Sequence, residues 1–316
     1  MTHTIRRPDS PITAALDAAA EIADACDFLR DYLRESGQAH FVIGLSGGID
    51  SAVVAFLAVR AVGADRVLLV RMPYGLVGPS RFAASAAASL DDAQRVIDAL
   101  PGVAAVTVNI AGKVDATVAE MESAALTLEA MSPAFPNRWT GITSPEHAPL
   151  LGNLKARARA DVLRCLANQY RALICGTENA TEHELGYFTI AGDEESDVEV
   201  LSPFLKMHVR VLAQELGVPQ SILDKPPSAD LWSGQTDEGE FGFSYAEADA
   251  VLWAARHHHG LGAAVARDEL ARASEVPSNV VHRIIDRHVA TAYKRAPKPN
   301  YRSVRLERAV REPGGH

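Results

Sequence analysis

The chain has 316 residues, 47% hydrophobic and 22% charged, with 31 lysines and arginines against 40 aspartates and glutamates and a formal net charge of −9. That composition excludes a disordered chain, and its acidic balance argues against nucleic-acid binding, which needs a basic footprint, while leaving room for a small anion held by a local cluster of cations. No apolar run approaches membrane-spanning length and the amino end, MTHTIRRPDSP, lacks the apolar stretch of a signal peptide, so a cytoplasmic protein with no membrane partner is expected.

In chain order, residues 11 to 35 have helical spacing, with Ser10 placed to cap and Pro11 at the first helical position. The period then changes. FVIGL, RVLLV and VAAVTV are short β-rich runs separated by Ala-rich helical stretches at 50 to 62 and 81 to 100, the alternation of a parallel sheet built from βαβ units. A helix beginning near Asn153 leads to a fourth run, RALIC at 171 to 175. Residues 132 to 149 read as an excursion from the core, and 224 to 242 as a mobile loop long enough to act as a lid. From Tyr245 to about Tyr293 the pattern is helical, and a basic arm follows. The expected architecture is α/β: a single domain over 1–316 with a Rossmann-like, doubly wound parallel sheet over about 38–223, a helical C-terminal part over about 243–295 and a tail over 296–316. Cys26, Cys165 and Cys175 lack metal-like spacing and read as reduced core thiols.

The stretch Gly44-Leu45-Ser46-Gly47-Gly48-Ile49-Asp50-Ser51 joins the first strand to the helix after it. Two adjacent glycines allow a tight turn with N–H groups presented outward, and the next helix points its positive end the same way, so an anion is expected there. Ser46 and Ser51 add hydroxyl donors, and the Asp50 carboxylate suits Mg²⁺. The loop lacks the lysine of a Walker A motif. Two other readings of the turn remain: a G-x-S-x-G nucleophile elbow, disfavoured by the single helix before it and the absence of an oxyanion segment, and a plain strand-to-helix turn.

SGGIDS after a first strand resembles the pyrophosphatase-type loop (PP-loop) of enzymes that cleave ATP between its α and β phosphates. With residues 28 to 74, GNLKARARADVLRCLANQY at 152 to 170, GTENATEHELGYFTIAGD at 176 to 193 and PSADLWSGQTDEGEFGFSY at 227 to 245, the chain resembles the ammonia-dependent NAD⁺ synthetases. The resemblance implies a homodimeric carbon–nitrogen ligase that adenylates the carboxylate of nicotinic acid adenine dinucleotide with ATP and Mg²⁺, then amidates it with ammonia. It implies ATP contacts from residues 44 to 51, Arg71, Thr177, Lys206 and Ser228, with Asp50, Lys206 and Ser228 taking part in catalysis and Asp50 and Glu182 holding the metal. It implies acid-substrate contacts from Asn153, Arg157, Asp193, Asp197 and Lys294. Taken singly, Lys206 also reads as a solvated helix residue, Thr177 as a turn cap, Glu182 as a surface acid and the 153/157 and 155/159 pairs as a basic helix face.

The family pattern GYFTKYGDG is GYFTIAGDEESD in this chain, so Ile190 stands where a cation is expected and Glu194 and Glu195 replace small residues. Tyr293 departs in the same direction. Added negative charge beside an anionic substrate is unfavourable by roughly 1 kcal/mol per pair at 4 Å in water. A divergent ligase acting on another carboxylic acid is therefore the alternative, behind which stand a serine hydrolase and a non-catalytic nucleotide-binding module. Fewer than fifty residues precede the loop, so no glutaminase domain is expected there and free ammonia is the expected nitrogen source. The His257 to His259 tract reads as a helix end rather than a metal site, and Asp91 and Asp92 as charges at a helix start.

Overall fold

A computed structural model of the chain describes residues 11–75, 83–136, 139, 147–228, 236–257 and 267–296. The first helical stretch is broken. α1 (Pro11–Ala14) is separated from α2 (Ala18–Ser36), which starts afresh because Asp17 accepts a hydrogen bond from the Ala20 N–H at 3.1 Å. β1 (His40–Gly44), β2 (Val67–Arg71), β3 (Ala104–Thr107), β4 (Ala172–Gly176) and the two-residue β5 (Val198–Glu199) form one parallel sheet in the order β3-β2-β1-β4-β5. The first four match the β-rich runs. β5 is too short and too polar to show a period.

Between the strands lie α3 (Ile49–Val62), α4 (Ala83–Asp98), α5 (Ala111–Met131) and α6 (Ala148–Tyr170). α6 begins a turn or more earlier than expected, with Pro149 in its first turn. One face of the sheet is covered by α2, α3 and α8 (Lys206–Leu216), packed into a core that includes Leu29, Phe41, Val53, Leu57, Leu69 and Val209. The other face packs on α5 and α6 through Val42, Val70, Ile110, Leu151 and Ile174. With both faces covered, β1 and β4 read as continuous apolar runs rather than alternating ones.

Past α7 (Ala180–Leu185), α8 and α9 (Gln220–Leu223), the chain forms α10 (Asp237–Phe241), α11 (Tyr245–His257), α12 (Arg267–Ser274), α13 (Ser278–Ala290) and α14 (Ala292–Arg295). These helices share their own cluster around Leu185, Phe241, Val251, Val281 and Ile285. The expected loop at 224 to 242 is therefore part helix: Thr236 caps α10, Phe241 is buried, and the Asp237 N–H donates to the Pro227 carbonyl at 3.2 Å. Residues 229–235 of that loop, His258 and His259, and the tail from 297 lie outside the described residues.

Three expectations are corrected. Cys165 is exposed, not core, whereas Cys26 and Cys175 are buried. Asp92 lies in the middle of α4, where it pairs with Arg95 at 2.6 Å and with Lys225 at 2.8 Å, not at a helix start. Asp197 is committed to the sheet edge. Arg164 Nη1 on α6 donates to its two oxygens at 2.9 and 3.0 Å, the Ile174 N–H donates to Oδ2 at 2.8 Å, and the Asp197 N–H returns a bond to the Ile174 carbonyl. This clamp ties α6 and β4 to the chain entering β5. Asp197→Ala is expected to lower unfolding free energy by about 1.5–3 kcal/mol, because a charge-assisted acceptor of a backbone N–H is removed. Urea denaturation measures it, and nucleotide binding by the folded variant should be unchanged.

Candidate active site

The strand order reverses between β1 and β4: the chain runs from β1 outward to β2 and β3 on one side, then returns to add β4 and β5 on the other. A crevice must open at the carboxyl ends of β1 and β4, the place where open α/β sheets bind ligands. The Ser46 turn leaves β1 there and Gly176-Thr177 leaves β4 beside it. A cavity of about 480 Å³ fills the crevice, within the range of small-molecule sites.

The turn is built by its own residues. Gly47 has φ +79°, and a Cβ there would lie 2.6 Å from the Ser89 carbonyl oxygen, so only glycine lets the turn seat against α4. The Gly48 N–H donates to Ser46 Oγ at 3.2 Å, Ser51 Oγ donates to the Gly48 carbonyl at 3.1 Å, and the two hydroxyls are 3.1 Å apart. Among the described residues Ser46 is bonded to serine and backbone and to no histidine, which is not the arrangement of a nucleophile elbow. Gly44, Leu45, Ser46, Gly48, Ile49, Asp50 and Ser51 all line the cavity.

Asp50 lies in the first turn of α3 and Glu182 in that of α7, and the two converge although 132 positions separate them in the chain. Lys206 Nζ donates to Asp50 Oδ2 at 2.6 Å and to Glu182 Oε1 at 2.9 Å. Lys206 is 3% exposed, so it is not a solvated helix residue. Buried Asn179 links the pair: its amide donates to Asp50 Oδ1 at 2.9 Å, while its Oδ1 accepts the N–H groups of Thr181 and Glu182 at 3.0 Å in a capping box completed by Glu182. The Tyr245 hydroxyl donates to Asp237 Oδ2 at 2.9 Å and reaches Glu182 Oε1 at 3.5 Å, and Lys206 lies 4.8 Å over its ring.

One ammonium thus faces two carboxylates, with Asp237 nearby. Burial pushes the Glu182 carboxyl above its ordinary range against the opposing pull of Lys206, with the Asp50 charge adding to the rise. Burial pulls Lys206 down, but the attraction of Asp50 and Glu182 outweighs it and holds the ammonium well above its ordinary range. Asp50 and Glu182 bring hard oxygen donors of the kind a divalent magnesium ion takes, and in this structure the Lys206 ammonium stands between them.

The rest of the cavity is walled by α6, the 186–193 segment, α10 and the last helices. Asn153, Lys155 and Arg159 line it, whereas Arg157 is exposed outside it, its Nε donating to the Ile190 carbonyl at 3.2 Å. The stripe expected along 153 and 157 is thus turned by one helical step, and Lys155, 2% exposed and 4.4 Å over the Tyr74 ring, takes the inward position instead. Thr189 Oγ1 donates to Asn153 Oδ1 and the Thr189 N–H to Asp193 Oδ1, both at 2.8 Å, so Asn153 and Asp193 meet on this wall. Lys294 lines the cavity too, with Nζ donating to the Gly186 and Phe188 carbonyls. Glu195 pairs with Arg164 at 2.9 Å, an arginine that Asp197 also holds, and Glu194 accepts the Ala191 N–H at 3.4 Å. Tyr293 is exposed. On the opposite wall Arg71 donates from Nη1 to Gln94 at 2.7 Å while its buried Nε has no partner, and Thr177 and Ser228 complete the lining.

Residues not anticipated from the sequence are Asn179, Asp237, Tyr245, Asp249, Arg287 and Lys225. Asn179 carried a readable signal, N-x-x-E before a helix. Asp249, wholly buried on α11, accepts from Thr181 Oγ1 at 2.5 Å and from the Met207 N–H at 2.7 Å, so it fixes the starts of α7 and α8 beneath Lys206. Arg287 stacks on Phe241 at 4.7 Å and Tyr187 at 5.4 Å as it faces the cavity.

A glycine turn and paired carboxylates at the switch point of a doubly wound parallel sheet define a nucleotide-phosphate-handling α/β protein of the PP-loop kind. The model of the NAD synthase family matches residues 21–298, and the chain belongs to that family. It is 41% identical over 227 residues to an NH(3)-dependent NAD(+) synthetase of Chlorobium phaeovibrioides, covering 72% of this chain and 70% of that one. Among solved structures it resembles an NMN synthetase from Francisella tularensis, with a TM-score of 0.69 and 30% identity over 90% of this chain and 100% of that one. It also resembles an NAD+ synthetase from Burkholderia pseudomallei, with a TM-score of 0.63 and 26% identity over 91% and 93%. Among the described residues no helix is long and apolar enough to cross a membrane.

Asp249 yields a pH prediction. Burial pushes its carboxyl from an ordinary value of 3.8 up to about 6, against hydrogen bonds from Thr181 and Met207 that lower it. Between pH 4 and 6 the folded chain therefore holds a proton that the unfolded chain has released, and stability falls as pH rises through that window by on the order of 3 kcal/mol. Asp249→Asn cannot titrate, so denaturant melts should show it gaining on wild type by that order between pH 4 and pH 7.

Proposed function

We propose that this chain is an ammonia-dependent NAD⁺ synthetase, a ligase that uses ATP to convert the carboxylate of nicotinic acid adenine dinucleotide into the carboxamide. The observation carrying this is the meeting, in one cavity, of the Ser46 turn and the Asp50–Lys206–Glu182 cluster with a second wall bearing Asn153, Lys155, Arg159, Arg287 and Lys294. A carboxylate is a poor acyl donor because its oxygen leaves badly. Its attack on the α-phosphate of ATP breaks the α–β bond, expels pyrophosphate and makes a mixed anhydride with AMP; ammonia then attacks the carbonyl carbon, loses a proton and expels AMP.

In this reading the N–H groups of residues 46 to 51 and the Ser46 and Ser51 hydroxyls cradle the pyrophosphate portion. Asp50 and Glu182 would hold Mg²⁺, which when bound neutralises charge developing on the phosphates. Lys206, which stands beside both carboxylates, supplies a positive charge for the α-phosphate, and Ser228, which lines the cavity, a hydroxyl. Arg71, through its unpartnered Nε, and Thr177 receive the nucleoside end. Lys155 and Arg159 take the role expected of Arg157, while Asn153, Asp193 and Lys294 shape the acid pocket. Asp197 acts only through the fold.

A second reading concerns the acid. The 190–195 segment departs from the family pattern beside this pocket, and the similar Francisella protein is an NMN synthetase, so the alternative substrate is the nicotinate mononucleotide. Initial-rate assays with ATP, ammonium and either acid decide between them. Amide, AMP and pyrophosphate should appear in equal amounts with the dinucleotide as the preferred acid, and Asp50→Ala should lower kcat by about 10²-fold or more. Pyrophosphate release without dependence on either acid would overturn the ligase reading; a large kcat/KM preference for the mononucleotide would select the second.

The proposal includes cytoplasmic residence and a homodimer. β3 is the sheet edge on its side and its four residues are exposed, and Val106 together with Met121, Leu126, Leu128 and Met131 of α5 leaves apolar side chains in solvent. A second copy covering this face is the expected occupant. Sedimentation should give a dimer, and Leu128→Glu with Met131→Glu should give monomers.

A further inference from the structure

The two flanks of the Ser46 turn carry opposite charge imbalances. On the α7 and α8 side one ammonium, Lys206, meets two carboxylates, Asp50 and Glu182. On the α4 side two cations meet one carboxylate. Asp92, 9% exposed, already accepts from Arg95 within its own helix at 2.6 Å, and Lys225 adds a second pairing at 2.8 Å. Lys225 is thus surplus to the neutralisation of Asp92.

Its position is defined. Lys225 follows α9, and its Nζ also approaches the Gly47 carbonyl oxygen at 3.4 Å, a long and weak bond. Its side chain is 30% exposed and lines the cavity beside Pro226, Pro227 and Ser228. An ammonium has three donors, and here Asp92 takes one well and Gly47 takes one poorly. Since Gly47 seats directly on α4 at Ser89 and Asp92, the same lysine bridges the back of the turn and the segment leading to Ser228.

Resting on the nucleotide-binding reading above, we propose that Lys225 is the phosphate-contacting cation of this turn, the counterpart, delivered from elsewhere in the chain, of the lysine that a Walker loop carries within itself. On docking of a triphosphate the ammonium keeps its bond to Asp92, gives up the weak contact with the Gly47 carbonyl and directs its free N–H groups to the β and γ phosphates. Lys206 is held at the opposite end by Asp50 and Glu182 and serves the α-phosphate. The turn then grips the triphosphate from both flanks, and the departing pyrophosphate leaves on the Lys225 side.

The test compares Asp92→Asn with the double variant carrying Asp92→Asn and Lys225→Met, so that the loss of the ion pair is common to both. Binding of Mg²⁺ with α,β-methylene ATP, and separately of AMP, is followed by calorimetry and thermal shift without any acid substrate. The double variant should bind the analogue about tenfold or more weakly than Asp92→Asn with AMP affinity unchanged, and pyrophosphate product inhibition should weaken in parallel. Lys225→Arg, which keeps both charge and ion pair, should bind the analogue within a few-fold of wild type. Equal analogue binding by the single and double variants overturns the proposal, as does an equal loss of AMP and analogue affinity, which marks a structural lysine. Failure of wild type to bind the analogue overturns the nucleotide reading as well.

Discussion

Everything in this molecule is arranged around two carboxylates that share one cation position. Asp50 and Glu182 would repel each other in a partly buried place, and they are held together because Lys206 donates to both and Asn179 braces Asp50 from the side. Each partner sits in the first turn of a different helix, so the geometry follows from how α3, α7 and α8 meet at the carboxyl end of the sheet. The hydrogen bonds of Asp249 to Thr181 and to the Met207 backbone lock two of those starts together. A charge cluster of this kind contributes little net stability, because desolvation offsets much of the attraction, and its maintenance is best understood through the chemistry it makes possible.

The helical C-terminal part closes the site rather than standing apart from it. Asp237 and Glu240 of α10 receive the Tyr187 hydroxyl at 3.0 and 3.1 Å, and the Tyr245 hydroxyl also bonds to Asp237. Arg287 covers the aromatic pair Tyr187 and Phe241 while its Nε anchors to the Leu185 carbonyl. A wall made from α10, α11 and α13 thus continues the Asp50–Lys206–Glu182 charge network toward Asn153 and Lys294 within one cavity.

The departures from the family pattern are less disruptive than their charges suggest. Glu195 pairs with Arg164, an arginine that it shares with Asp197, and Glu194 turns to the backbone of its own segment. The cation absent at Ile190 has a neighbour in Arg157, whose Nε donates to the Ile190 carbonyl, while Lys155 and Arg159 face the cavity from α6. The whole Ser46 turn lines the cavity apart from Gly47, and the residues that depart from the family pattern lie on the 190–195 segment instead.

The sequence by itself determined the parallel α/β class, four of the five strands, the glycine turn at Ser46 and its missing lysine, and the association of Asp50 with Glu182 through resemblance. These are legible because periodicity, glycine turns and short motifs act over a few residues. It did not determine which way α6 faces: spacing makes 153/157 and 155/159 equally good stripes, and only packing against the sheet turns Lys155 and Arg159 inward and leaves Arg157 outside. Nor could it distinguish Asp197 as a structural clamp from a substrate ligand, since Arg164 and the Ile174 N–H reach it from other elements. Tertiary structure alone brought Lys225 to Gly47 across 178 positions, because a contact of that separation leaves no local pattern and is decided by where the sheet reverses its order.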